Sequence, residues 1–300
     1  GEEMSRPVPR ALAIAAELVA LALATTALPA QQWRTLEARR SVSPGSRADT
    51  LRVHLAYGVG ELTFGAADEG MLYDLSVRYD ANERRVKYDY DLTARLLTVG
   101  DDSGFTNAFF AHRGHDRPDQ KGPRPKLALK VAAGIPLELS LDLSAAEAVL
   151  DMSRLEISRL ELEAAASDGR VTFGTPNRVH IPNLELHATA ANVDVGQLGN
   201  AHADTVHANA TMGHIDLDLG GDWTGRTALD LRAVMGVITV RVPSDVGVRV
   251  DASATLGKVE TPGFTARDGS YYSANWANAS RTVTIAGRAV LARVEVVRSE

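Results

Sequence analysis

Apolar and polar residues alternate in short runs over most of this chain, and in its second half the runs recur at a nearly constant spacing. Each copy has an alternating segment such as Leu229-Asp-Leu-Arg-Ala, a turn of small residues, and a second alternating segment such as Val237-Ile-Thr-Val. A period of two is typical of a β-strand with one buried face. A repeat of this size indicates stacked units that share a core. The five copies start at Leu160, Leu184, Val206, Leu229 and Val248.

The pattern predicts an all-β fold in which short strands stack into a right-handed β-solenoid-like architecture. A small residue stands at the corner between the two strands of each copy. Glycine and asparagine tolerate the positive φ that a tight corner often requires. The steps between these residues are 23, 21, 23 and 21 positions. The predicted corner residues are Gly169, Asn192, Gly213, Gly236 and Gly257.

Alternation also assigns the side chains that face the interior. These positions are aliphatic or alanine, and aromatic residues make up only 5% of the chain, which favours a thin aliphatic core. Residues 145–160 could also form a helix, because Ala and Glu favour helices. The period of two through Leu155, Ile157 and Leu160 favours strands instead. The predicted inward residues include Ile238, Val240, Val242, Val248 and Val250, and the outward ones Thr239, Arg241, Arg249 and Asp251.

Interruptions of the alternation divide the chain into four parts. Residues 1–30 resemble a signal peptide, and residues 31–50 are polar and predict a flexible lead-in. Residues 51–125 form an N-terminal β region that ends in a polar loop over residues 100–125, where Gly, Pro and charged residues cluster. Residues 126–300 are the β-solenoid-like repeat region.

The signal-peptide prediction depends on a basic start at Arg6 and Arg10, an apolar run over residues 11–27, and Ala27-Leu-Pro-Ala30, which resembles a cleavage site. Glu17 weakens the apolar run, and a transmembrane anchor is the alternative. The run is shorter than the roughly 20 residues that a membrane span requires. We therefore expect an exported protein, periplasmic or on the cell surface, with no membrane span in the mature chain.

Composition excludes several kinds of site. The net charge of −6 is spread over both signs and as a whole gives no electrostatic basis for binding nucleic acid or anionic lipid. Because the chain has no cysteine, disulfides and thiolate zinc sites are excluded. The glycine pairs Gly58-Val-Gly60 and Gly220-Gly221 are not followed by the Lys and Ser or Thr of a phosphate loop. We expect no cofactor.

Histidines and aspartates are the candidate chemical groups. His187 and His207 would stack as metal ligands if neighbouring strands were offset by 20 residues, but the predicted corners imply about 21, which leaves a solvated polar face as the other reading. Paired outward carboxylates could cleave glycosidic bonds. Alternation alone, however, also places a polar residue at every second position. The histidines are His180, His187, His202, His207 and His214, and the aspartates are Asp194, Asp216, Asp218, Asp230 and Asp251.

An aromatic cluster lies in the longer segment before the last copy. Aromatic side chains can cover the open end of a stack of strands, which would otherwise be an aggregation-prone edge. They can also form a platform on which a sugar ring stacks. The candidate binding residues are Tyr271, Tyr272 and Trp276, with Phe264 nearby.

Several runs of this chain resemble the extracytoplasmic toast-rack domains of bacteria, which include LiaF-like cell-wall-stress proteins and related adhesin-like domains. The resemblance extends roughly from Leu51 to Val297 and concerns corners and inward aliphatics. The runs include Val53-His-Leu-Ala-Tyr-Gly-Val-Gly, Ile135-Pro-Leu-Glu-Leu, Leu150-Asp-Met-Ser-Arg-Leu, Gln197-Leu-Gly-Asn-Ala, Leu217-Asp-Leu-Gly-Gly-Asp-Trp, Met235-Gly-Val-Ile-Thr-Val and Pro262-Gly-Phe.

The resemblance implies a stacked-strand domain without an enzymatic centre. We expect a non-catalytic envelope protein that acts as a scaffold or binding module. Its partner would be an envelope protein or a cell-surface polymer, and its function would be linked to the envelope stress response. LiaF-like proteins carry several membrane spans before this domain, whereas here only a signal-peptide pattern precedes it, so inhibition of a membrane kinase is not carried over. The alternatives are a surface adhesin or glycan-binding protein and, third, a polysaccharide-degrading enzyme.

Overall fold

The structure is a computed structural model that describes residues 31–42, 49–101, 123–223 and 225–299. The predicted signal peptide and most of the predicted polar loop, residues 102–122, lie outside these residues. The chain from Gln32 onward forms one compact unit. Within the described ranges, no helix has the length and apolar character that a membrane crossing needs.

The described residues contain twenty-one β-strands, a short 3-10 helix over Leu198–Ala201 and no α-helix, which confirms the all-β prediction and the choice of strands for residues 145–160. The strands are β1 Trp33–Ser41, β2 Leu51–Ala66, β3 Met71–Asp80, β4 Val86–Asp91, β5 Leu96–Asp101, β6 Lys126–Val131, β7 Pro136–Asp151, β8 Glu156–Ala165, β9 Asp168–Thr172, β10 Ile181–Thr189, β11 Asn192–Gly196, β12 Ala203–Thr211, β13 His214–Asp218, β14 Arg226–Val234, β15 Val237–Pro243, β16 Gly247–Thr255, β17 Lys258–Glu260, β18 Thr265–Arg267, β19 Ser270–Tyr272, β20 Thr282–Val290 and β21 Arg293–Ser299.

The repeating unit is a rung of two strands joined by a tight corner. The first strands of successive rungs pair in parallel with one another, as β8, β10, β12 and β14 do, and the second strands β9, β11, β13 and β15 form a parallel column of their own. The long strands β2 and β7 run through both columns. The predicted stack of short extended segments is therefore confirmed, whereas the right-handedness of its coil stays a prediction.

The interior is a thin aliphatic core, as the alternation predicts. Ile238, Val240 and Val242 are fully buried, and Arg241 between them is exposed. Because every inward position of a rung lies over the same position of the next, the inward residues of both columns form one continuous cluster. Thin packing needs small residues where the columns meet, and Ala188, Ala210 and Ala233 occupy that place in successive rungs.

The corners differ from the prediction in both position and conformation. The positive φ belongs to the residue before Gly213, Gly236 and Gly257: Met212, Met235 and Leu256 have φ of 55°, 55° and 53°. The glycines serve close approach instead, since a Cβ on Gly236 would lie 2.6 Å from the carbonyl oxygen of Gly213 in the next rung. Gly169 and Asn192 are not equivalent to the other predicted corner residues, because the pairing aligns Gly169 with Val193 and Asn192 with His214.

The order of the rungs in space departs from their order in the chain. The rung β20–β21 lies between the rung β14–β15 on one side and the rung β16–β17 on the other. Consequently β16 and β17 form the terminal rung, although they precede β20 in sequence. The short turn from β15 to β16 therefore connects two rungs that are not adjacent, and the rung β20–β21 lies between them.

Arg298 in β21 fastens that turn. Its guanidinium donates hydrogen bonds to the carbonyl oxygens of Pro243 (2.8 Å) and Val246 (2.7 Å), and to Oδ1 of Asn275 (2.6 Å). Burial lowers the pKa of Arg298 below its usual value, an effect that Asp245 opposes. The inserted rung β20–β21 thus supplies the hydrogen-bond donors that stabilise the turn between β15 and β16.

At the opposite end the stack is closed by antiparallel strands. β3 pairs with β6 and with β1, and β4 pairs with β5. The prediction of a flexible lead-in over residues 31–50 is therefore wrong for Trp33–Ser41, which form an edge strand with Ala38 buried. The predicted boundary between residues 125 and 126 falls within the stack, because β2 pairs directly with β6 and β7.

Candidate functional site

A groove of about 630 Å³ lies on the outer surface of the first-strand column, across β12, β14, β20 and β16. We call it the outer groove. Parallel pairing aligns its side chains in rows, so that each row contains one residue from each of four rungs. The middle row is His207, Asp230, Ala286 and Asp251, and the row nearer the corner contains Arg232, Arg288 and Ser253.

The groove exists because two neighbouring rungs carry small side chains on this face. Ala286 stands between Asp230 and Asp251 in the middle row, and Ala228 adjoins Asp230 on its own strand. Since alanine leaves unfilled the volume that a longer residue would occupy, the flanking polar groups become walls. The turn at Gly269, before β19, borders the far end. The inserted rung β20–β21 therefore makes the floor.

The carboxylates of the groove already have cationic or hydroxyl partners. Asp230 lies 3.7 Å from His207 Nδ1 and 3.6 Å from Arg232 Nη2. Asp251 lies 3.0 Å from Arg249 Nε and accepts a hydrogen bond from the Ser270 hydroxyl. Such pairs hold the carboxylates in place and leave their remaining lone pairs able to accept hydrogen bonds from a ligand hydroxyl.

Arg288 is an exposed cation of the groove. Pairing places it directly opposite Arg232 on the neighbouring strand, and like charges in that relation repel. Among the described side chains it has no ion-pair or hydrogen-bond partner, whereas Arg232 has Asp230. A guanidinium so placed can bind an oxyanion through two parallel hydrogen bonds. The outer groove can therefore bind a ligand that carries hydroxyls and a negative charge.

Sequence reasoning missed Arg232 and Arg288. Both were visible as outward residues in alternating segments, but they lie far apart in sequence. Only the insertion of β20 beside β14 brings them together. A search for like charges at equivalent positions of different copies could have found the pair.

The five predicted aspartates do not form one line. Asp230 and Asp251 belong to the outer groove, whereas Asp194, Asp216 and Asp218 lie on the second-strand column. Asp216 is only 8% exposed and is bound by both terminal nitrogens of Arg241, at 2.6 and 2.5 Å. Burial raises the pKa of Asp216, and Arg241 opposes the shift. Asp218 accepts backbone hydrogen bonds from Gly220 and Gln197.

The histidines are dispersed. Pairing places His207 beside Glu185 and His187 beside Asn209, so His187 and His207 do not stack, and the mismatch foreseen from the corner spacing is confirmed. His180 Nε2 lies 2.6 Å from Asp204, and His202 Nε2 lies 2.9 Å from the carbonyl oxygen of Asp222. In the described part of the chain, no three His, Asp or Glu side chains come together as a metal site would require.

The predicted aromatic residues lie at the terminal rung. β19 pairs antiparallel with β16, which places Tyr271 opposite Val250 and Tyr272 opposite Arg249. The rings of Tyr272 and Trp276 are 6.0 Å apart between centroids, and the Arg267 guanidinium lies 4.8 Å from the centre of the Tyr272 ring. The three predicted residues are half-buried. Their position is that of an end cap, and their role in binding stays a prediction.

Known proteins of several bacteria are similar to this chain. Solved structures that match include a candidate cell adhesion protein from Clostridium sporogenes, at 17% identity and a TM-score of 0.41 over 89% of this chain and 100% of that one. A candidate adhesin from Bacteroides fragilis matches at 10% identity and a TM-score of 0.42 over 89% and 98% of the two chains. One from Parabacteroides distasonis matches at 12% identity and 0.42, over 89% and 97%. No curated protein matches the chain.

Two family models match consecutive parts of the chain. Residues 32–181 match the N-terminal domain of toast-rack proteins, and residues 198–296 match the C-terminal domain of LiaF, the cell-wall-active antibiotics response protein. The first match begins at β1, earlier than the resemblance at Leu51 indicated. The chain therefore belongs to the toast-rack family, with a C-terminal part of the LiaF-like type.

Proposed function

We propose that this protein is a non-catalytic component of the cell envelope, exported through its N-terminal segment, whose stacked strands bind a cell-surface polymer in the outer groove. The observation that carries the proposal is Arg288, which has no ion-pair partner among the described side chains and lies in a groove whose carboxylates are paired with Arg232 and Arg249. Such a surface offers fixed polar contacts at the regular spacing of parallel strands, about 4.8 Å, and suits an extended chain of repeating polar units.

Binding is favoured over hydrolysis because the candidate acids are committed to structural contacts. Glycoside hydrolysis needs one carboxyl group that keeps its proton and a second that faces it across the scissile bond. Asp216, whose pKa is raised, is clasped by Arg241, and Asp218 caps backbone amides. A polysaccharide-degrading enzyme would be supported only if wild-type protein cleaved acidic glycans and both Asp216→Ala and Asp218→Ala reduced the turnover.

Affinity electrophoresis tests the groove, with polygalacturonate as the acidic probe and dextran as the neutral one. Wild-type protein should be retarded by polygalacturonate, and Arg288→Glu should lose that retardation at least about tenfold, because a charge-assisted contact becomes a repulsion. Arg178→Glu is the matched control, since Arg178 is also exposed and lies outside the groove. Equal retardation of wild type and Arg288→Glu would contradict groove binding.

A surface adhesin that binds glycan through the terminal aromatics is the second candidate. The half-buried, tilted pair of Tyr272 and Trp276 is the observation that favours it. Replacement of Tyr271, Tyr272 and Trp276 by Ala should abolish glycan retention and leave the unfolding transition in place if this candidate is correct. Loss of the folded state instead would assign the three residues to the end cap.

A further inference from the structure

Large apolar side chains project into solvent along one corner of the stack. They occupy the same corner position on four neighbouring rungs and form what we call the corner ridge. Met212, Met235 and Leu291 are 51%, 53% and 56% exposed, and Leu256 on the terminal rung is 84% exposed. The adjoining Val234 and Val290 are also exposed, at 39% and 43%.

The backbone of the ridge gives no reason for these residue types. Each ridge residue has φ between 52° and 55°, a left-handed conformation in which glycine or asparagine is favoured. The equivalent corners of the two preceding rungs have the same φ but carry Ala166 and Ala190. The long apolar side chains thus begin at Met212, in a conformation and a solvent exposure that both disfavour them.

Cationic side chains flank the ridge on both sides, one side on each strand column. On the first-strand column Arg232 and Arg288 precede the exposed valines by two positions, which puts them on the same outward face. On the second-strand column Arg293 and Lys258 follow the ridge residues by two positions. The carboxylates that pair with these cations, Asp230 and Glu260, lie one step farther from the ridge. The charge nearest the apolar side chains is therefore positive.

We propose that the corner ridge inserts into the surface of a lipid bilayer that carries anionic headgroups. Four rungs at a spacing of about 4.8 Å give a straight edge of roughly 14 Å, which presents apolar side chains to the outer acyl region while its flanking cations reach the headgroups. A convex edge fits a deformable planar surface better than it fits a pocket. The ridge residues lie outside the outer groove, but their flanking cations Arg232 and Arg288 belong to both surfaces. The contact would hold the protein at the membrane surface.

Vesicle flotation tests this proposal with the whole protein. Vesicles made of equal parts phosphatidylcholine and phosphatidylglycerol should carry wild-type protein upward, and raised salt should reduce the bound fraction because it screens the headgroup contacts. The double variant Met235→Asn, Leu291→Asn should lose at least about tenfold in the bound fraction. Asparagine tolerates the left-handed conformation, so the variant keeps its corners, and an unchanged or raised melting temperature excludes unfolding as the cause.

Ala190→Asn is the matched control, because it makes the same kind of change at an equivalent corner outside the ridge. It should float like wild type. The proposal is overturned if the double variant floats as well as wild type, or if neutral phosphatidylcholine vesicles carry as much protein as anionic ones. It is also overturned if light scattering shows a dimer that the double variant abolishes while flotation is absent, since the ridge would then contact a second copy.

Discussion

At the scale of single residues, each corner places two steric requirements on two consecutive residues. One residue adopts positive φ, and the next must lack bulk because the carbonyl of the adjoining rung approaches it: a Cβ on Gly213 would lie 2.5 Å from the Ala191 oxygen. The glycines in the sequence indicated the position that must be small. The position with positive φ could not be predicted, because Met235 and Leu256 are not residue types that favour a left-handed conformation. For this reason the predicted corners were displaced by a residue or more.

Leu256→Asn should stabilise the protein. Leu256 makes little packing contact, since 84% of it is exposed, and its φ is 53°. Relief of the left-handed strain should add on the order of 0.5–1 kcal/mol to the free energy of unfolding, as measured by urea titration. Leu256→Val is the opposing control: a β-branched residue is least tolerated at positive φ and should lower the stability. If both variants unfold at the wild-type midpoint, the assigned conformation is incorrect.

Asp142 should make the stability depend on pH. Burial raises the pKa of Asp142, with His54 opposing the shift and Glu161 adding to it. A raised pKa in the folded state means that the protonated carboxyl is favoured there. Its stabilising contribution is complete below the ordinary aspartate pKa of about 3.9 and is lost as the pH rises through the raised value.

Asp142→Asn cannot ionise and should escape that loss. Its advantage over wild type in the free energy of unfolding should be least in acid and should grow toward neutral pH, a trend that urea titrations at a series of pH values will measure. Asp74→Asn is a useful comparison, because Asp74 is paired with Arg39 at the surface. An advantage that shrinks as the pH rises would contradict the assigned direction.

At the scale of elements, alternation was sufficient to predict strands and their faces. A strand with one buried face must alternate, so β14, β15 and β20 could be read from the sequence. β1 could not, because it is an edge strand in which only Ala38 is buried and charged residues occupy half of the other positions. The pairing order was equally hidden, since any two copies present the same aliphatic row to a neighbour. The outer groove depends on the pairing order of the strands, so it could not be predicted from the sequence either.

Removal of the Arg298 guanidinium should loosen the turn between β15 and β16. Arg298→Ala deletes three donors and leaves the carbonyl oxygens of Pro243 and Val246 without these partners, at a cost of about 2–3 kcal/mol in the free energy of unfolding. Arg298→Lys keeps the charge but not the planar fork, and it should lie between wild type and Arg298→Ala. Arg178→Ala is the surface control. Differential scanning calorimetry will rank the four proteins, and equal melting temperatures would show that the turn does not need this clamp.

At the scale of the whole molecule, the inserted rung contributes to both proposed binding surfaces. β20 supplies the alanine floor of the outer groove and Arg288, and the corner that follows it supplies Leu291 to the ridge. Both surfaces are thus built from residues that are remote along the chain and adjacent across parallel strands. The terminal rung is covered in part by β19 and its aromatic neighbours, which places the predicted aromatic cluster where the stack ends.

The insertion also has a kinetic consequence. Leu229 in β14 and Val250 in β16 both align with Ile285, so β16 could dock on β14 in the same register and with the same aliphatic match. This non-native pairing of β14 with β16 would follow the order of the chain and would prevent β20 and β21 from inserting. A polypeptide folding in sequence thus meets a plausible wrong partner first, and the native state is reached only when this early contact opens again or is avoided.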